Sequence, residues 1–177
     1  MVKSSLLVLG AIPVIIALLL SVPMLIKNEI PISAGHSFDK IDIEYTKLQL
    51  KKIDYGVTER VGAQKTEILK IKNDGELIYS VTDEGYIQPD IRSKLDEQSL
   101  TKIKSLIKET GFISIPSESF QILSNVTDYQ KSNVKITLNG KENQIYWPEQ
   151  SATSEFIPPI ITMVEVELDQ IISKIIE

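Results

Sequence analysis

"KTEILKIKNDGELIYSVTD", Lys65–Asp83, sets two runs of alternating apolar and polar residues on either side of Asn73-Asp74-Gly75. Alternation with a period of two marks a strand buried on one face, and Asn, Asp and Gly are the residues of tight turns. A three-residue turn with Gly75 in the left-handed conformation puts Ile71 opposite Leu77, Leu69 opposite Tyr79 and Lys72 beside Glu76. A two-residue turn would mismatch those pairs. The stretch therefore predicts a hairpin with one apolar face, and with it an antiparallel sheet.

The neighbouring segments extend this pattern. In "IDIEYTKLQLKKIDY", Ile41–Tyr55, Leu48 and Leu50 alternate with Lys47, Gln49 and Lys51, the period of a strand wet on one face. "DEGYIQPDIRSK", Asp83–Lys94, reads as a loop. A helix is expected after Leu95, capped by Asp96, with Leu100, Ile103, Leu106 and Ile107 on one face and Gly111 at its end. In "NVKITLNGKENQIYW", Asn133–Trp147, the Asn139-Gly140 pair is a hairpin turn, and Val134, Ile136 and Leu138 share a face with Ile145 and Trp147. A last helix opens at Pro158-Pro159 and turns Ile161, Val164, Leu168, Ile171, Ile172 and Ile175 inward. The order β-β-β-α-β-β-α predicts an α+β fold, an antiparallel sheet of about five strands with two helices packed on one face.

Ahead of this domain, Leu6–Ile26 runs without a charge and is long enough for the roughly 20 residues a bilayer core requires. Gly10, Pro13 and Pro23 are tolerated in a membrane helix. Ser33-Ala34-Gly35 offers small residues suited to a signal peptidase, though well beyond the apolar run, so cleavage and secretion is the alternative. The expected organisation is a cytoplasmic start and transmembrane anchor over 1–27, a linker over 28–40 and an extracytoplasmic α+β domain over 41–177. Lys3 and the N-terminus ahead of the span, against Lys27 and Glu29 after it, set that orientation.

Composition narrows the chemistry. A net charge of −5 with no basic stripe disfavours nucleic acid as a partner. With no cysteine there is no disulfide, thiolate zinc site or catalytic thiol, and no cysteine to carry a lipid. The one histidine, His36, lies in the linker, so neither a serine triad nor a histidine metal cluster can be assembled within the domain. Asp83, Glu84 and Asp90 could gather around calcium, but they lack the regular spacing of a calcium loop and read instead as a solvated acidic loop. The glycines stand singly, so no phosphate loop is present. No cofactor and no metal site is expected.

Two surface readings remain. "YWPEQSATSEFIPP" puts Tyr146 on the face opposite Trp147 and leads to Phe156, either as core and plug or as a recognition surface. Met163 and Val166 fall outside the inward arc of the last helix, where they are ordinary exposed residues or the seat of a partner. Asn125-Val126-Thr127 is a glycosylation sequon in a polar loop.

The succession of "LDEQSLTKIKSLIKETGFISIP" and "ITLNGKENQIYWPEQSATSEFIPPIITMVEVELDQII" resembles a family of small, uncharacterised extracytoplasmic domains of archaea and bacteria. The likeness covers about the second half of the chain. It implies a membrane-anchored α+β domain of unknown function and carries no catalytic residues over. The expectation is a non-enzymatic binding or accessory subunit with a membrane-protein partner. A carboxylate-dependent hydrolase of envelope material and a secreted inhibitor are the alternatives.

Overall fold

The computed structural model describes residues 39–54, 56, 58–117 and 120–177. The apolar run, His36 and the linker up to residue 38 lie outside the described residues. Among the described residues no helix is long and apolar enough to cross a membrane.

The fold is α+β. Its strands are β1 Ile41–Asp54, β2 Glu59–Ile71, β3 Glu76–Asp83, β4 Tyr86–Ile87, β5 Ile91–Lys94, β6 Asp128–Leu138 and β7 Lys141–Pro148. Its helices are α1 Glu97–Glu109 and α2 Pro159–Ile176. All strand pairs are antiparallel, in the order β4-β3-β2-β1-β6-β7 with β5 also on β3. The first strand is therefore central, and the chain from β5 through α1 to β6 carries it from one side of the sheet to the other.

Both hairpins have the register their turns demand. Ile71 faces Leu77 and Leu69 faces Tyr79, Gly75 has φ +84°, and Lys72 pairs with Glu76 at 2.6 Å. Asn139 and Gly140 take φ +52° and +83°, joining Leu138 directly to Lys141 as a two-residue turn should. Asp96 caps α1 by accepting from Ser99 N–H at 2.8 Å, and Gly111 follows the helix with φ +65°.

Two expectations change. Among the described residues the sheet has seven strands rather than about five, because the stretch read as a loop doubles back on β3. Glu84 and Gly85 both have positive φ, a two-residue reversal that sets Tyr86 opposite Asp83, and Ile91–Lys94 then pairs with Glu76–Tyr79. In β1 the covered face is Ile41, Ile43 and Tyr45, while Leu48 and Leu50 lie on the other face, half-buried. This strand is apolar on both sides, so alternation fixed its period but not which side the helices would cover.

The core lies between one sheet face and the helices. Ile41, Ile43, Tyr45, Leu69, Ile71, Leu77, Tyr79, Val134, Ile136, Ile145 and Trp147 are buried with Ile103, Leu106 and Ile107 of α1, Phe112 after it, and Ile161, Val164, Leu168, Ile171 and Ile172 of α2. Each large side chain buried this way contributes about 1.5–3 kcal/mol.

The point where the chain joins the sheet is pinned by polar contacts. The Asp39 carboxylate accepts from Lys108 and from the Asn139 amide, both at 2.8 Å, and its carbonyl accepts from Lys104 at 2.8 Å. Asn73 Oδ1 accepts from Ile41 N–H at 3.1 Å and Lys104 at 3.2 Å. Both hairpin turns and α1 thus converge on residues 39–41. At the opposite end β1 and β2 run on as a two-stranded arm, since β3 leaves β2 at Lys65 and the β6 register ends at Lys51.

Candidate binding surface

One row past Tyr45, the covered face turns polar. Glu67, Lys47, Ser132 and Trp147 stand side by side across β2, β1, β6 and β7. Over this row α2 sets Glu165 and Asp169, one helical turn apart and so on the same side of the helix. Glu165 accepts from Trp147 Nε1 at 3.0 Å, Ser132 Oγ at 2.9 Å and Tyr45 Oη at 3.4 Å. Asp169 accepts from Tyr45 Oη at 3.1 Å and from Lys47 Nζ at 3.1 and 3.2 Å. On the far side of Lys47, Glu67 accepts from Tyr79 Oη at 2.9 Å and pairs with Lys65.

These contacts fix protonation. Burial, reinforced by the charges of Glu165 and Asp169, holds the Tyr45 proton well above the usual tyrosine range. Burial and the hydrogen bond to Glu67 do the same for Tyr79. Burial alone would raise Glu67, but the bonds from Lys65 and Tyr79 and the charge of Lys47 outweigh it and hold the carboxyl below its ordinary value. Both tyrosines are therefore donors and Glu67 is ionised. The row works as a polar seam that fixes where α2 sits on the sheet: sliding the helix by a turn would bring Ile161 into the place of Glu165, or Ser173 into the place of Asp169, and leave one set of donors without its carboxylate.

The residues singled out in the sequence fall in separate places. Trp147 is 1% exposed, so it is core beneath α2 and offers no surface to a partner. Its neighbour Tyr146 points to the other sheet face, exposed, with Lys131 Nζ 5.6 Å from its ring centre. Phe156 is exposed in the loop before α2, and Met163 and Val166 are exposed along that helix. Asn125 is exposed in a turn where Val126 N–H bonds the Leu123 carbonyl at 3.2 Å. Asp90 accepts from Ser80 Oγ at 2.6 Å, and among the described residues no group of three or more acidic or histidine side chains is gathered for a metal. The polar seam was missed by sequence reading. Its one local sign is the spacing of Glu165 and Asp169, and nothing near them in the chain points to Tyr45 or Lys47.

The second sheet face, with Thr46, Leu48, Leu50, Ile68, Asn133 and Tyr146, is half-exposed. Asn133 Oδ1 is buried there with no hydrogen-bond partner among the described residues. A groove of about 290 Å³ on this face is lined by Asp42, Glu44, Lys70, Lys72, Lys135 and Thr137 among others. Its cations are paired with Glu44, Glu76 and Glu142 at 2.6–3.2 Å.

Compared with models of known protein families and with curated proteins, the chain matches none.

Proposed function

We propose that the chain is a single-pass, membrane-anchored binding subunit. Leu6–Ile26 is its transmembrane helix, 28–40 its linker, and the 41–177 domain lies outside the cytoplasm beside a membrane-protein partner. The length and uncharged character of the apolar run support the anchor, and the resemblance to small extracytoplasmic domains points the same way.

The observation that carries the binding reading is uncovered surface. Among the described residues α1 and α2 are both spent on one sheet face, and the other face and the arm are left with Tyr146, Val61, Ile53 and the half-buried Leu48 and Leu50. The acids of the polar seam, by contrast, are already held by donors within the domain.

The test is extraction of the native chain from its membranes in mild detergent, with its N-terminus read by mass spectrometry. An uncleaved chain that co-elutes with a stoichiometric membrane protein is the expected result. A chain starting near Gly35 or His36, found alone in the soluble external fraction, overturns the anchored reading in favour of a secreted domain.

A further inference from the structure

Beyond Lys65 the outer side of β2 loses its neighbour. The last bond across it runs from Glu84 N–H to the Gln64 carbonyl at 2.7 Å, and among the described residues no strand lies beside Glu59–Ala63 on that side. The ladder decides which groups face out. Lys52 N–H bonds the Thr127 carbonyl at 2.6 Å, so Lys52 faces the β6 side and its neighbours Lys51 and Ile53 face β2. Their partners Gly62 and Arg60 face inward, which leaves the N–H and C=O groups of Glu59, Val61 and Ala63 pointing away from the sheet. Unpaired groups at this spacing are matched, apart from water, by another extended backbone.

The other edges are blunted. The outer edge of β4 and β5 is split by Pro89, which has no N–H to give. The outer edge of β7 gives its Gln144 carbonyl to Ser117 Oγ at 2.7 Å and ends at Pro148.

Charge indicates what kind of backbone fits. Lys51, Lys52, Arg60 and Lys65 stand here among Asp54, Glu59, Glu67 and Glu84, and the ion pairs decide which cations are left over. Lys52 pairs with Glu59 and Lys65 with Glu67, while Lys51 and Arg60 stand exposed with no acidic partner among the described residues. Apolar contact is available as well: Val61 is 53% exposed, and Tyr86, two residues after Glu84, is 74% exposed. We infer that the Glu59–Ala63 edge docks an extended, acid-bearing peptide segment of the partner as an added strand. This rests on the binding reading above and names the chemistry of the partner.

The experiment measures fluorescence anisotropy of a short labelled peptide of alternating valine and glutamate, titrated with the full chain in detergent micelles. Controls are the same peptide with alternate amides N-methylated and a version with lysine for glutamate. Val61→Pro deletes an outward N–H without breaking a bond to β1, and Arg60→Glu changes only an exposed side chain. Unchanged far-UV circular dichroism checks the fold, and Arg60→Glu keeps the test open should the proline variant misfold.

Binding of the glutamate peptide, weakened about fivefold or more by N-methylation, by the lysine exchange and by either substitution, is expected. No peptide binding, or binding indifferent to N-methylation and to both substitutions, overturns the proposal. Self-association of the chain that Val61→Pro abolishes would assign the edge to a second copy and overturn it too. A native companion retained by both variants removes the edge but leaves the accessory reading standing. Peptide binding by a chain that has no native companion does the reverse.

Discussion

Trp147 unites the two roles that a single residue can play in this domain. Its ring fills the core beneath α2, and its indole N–H is one of the donors that hold Glu165. Trp147→Phe keeps most of the volume and deletes the donor, so a loss of about 1–3 kcal/mol is expected, against about 3–5 kcal/mol for Trp147→Ala. Urea unfolding of the two variants measures both, and a Phe variant as stable as the wild type would show that the N–H contributes nothing. Asn125 serves as a topology reporter because it is exposed in a turn. Translated with microsomes, the full chain should gain the mass of a single glycan that Asn125→Gln removes. An unmodified chain beside a modified control protein would remove the sequon as support for an external domain.

At the scale of elements, the two hairpin turns look alike in sequence and differ in their surroundings. Gly75 and Gly140 both have positive φ, so alanine strains either backbone by about 1–2 kcal/mol. A Cβ at Gly140 would meet open space, whereas at Gly75 it would lie 3.0 Å from the Leu95 carbonyl, whose own N–H bonds the Gly75 carbonyl at 2.9 Å. Gly75→Ala should therefore cost about 1 kcal/mol more than Gly140→Ala, because β5 and the start of α1 must shift as well. Equal midpoints in chemical denaturation would mean that Leu95 moves freely. The hairpins and both helices were legible because turn residues and periodicity are local properties. β5 was not, since Ile91-Arg92-Ser93-Lys94 has no alternation and is made a strand only by lying against β3.

Across the whole molecule the polar seam and the cap of α1 give stability a pH dependence with two limbs. Glu67 and the capping Asp96 are held below their ordinary values, the latter by hydrogen bonds from Ser99. Their contribution is complete above the unfolded carboxylate range, about pH 4–4.5, and is lost as pH falls through their folded values. Tyr45 and Tyr79 are raised, so their contribution is complete below about pH 10 and is lost as pH rises, because the unfolded chain releases protons that the fold retains. Melting temperature measured from acid to alkaline pH should fall on both sides. Glu67→Gln should flatten the acid limb, and Tyr45→Phe should flatten the alkaline one while lowering the plateau. An alkaline slope that Tyr45→Phe leaves untouched would remove the buried hydroxyl as its cause.

The sequence by itself determined the parts: where the strands alternate, where Asn-Asp-Gly and Asn-Gly reverse the chain, which arc of each helix is apolar, and that an uncharged run of bilayer length precedes them. Each of these is set by residues within a few positions of one another. The tertiary structure alone decided that β1 lies in the middle with Tyr45 inward and Leu48 outward, that Glu165 and Asp169 meet Tyr45 and Lys47 more than a hundred residues away in the chain, and that the end of β2 keeps a bare edge. Those outcomes depend on the register between distant segments and on which face the helices choose to cover. A strand that is apolar on both sides leaves that choice open until the whole sheet is assembled.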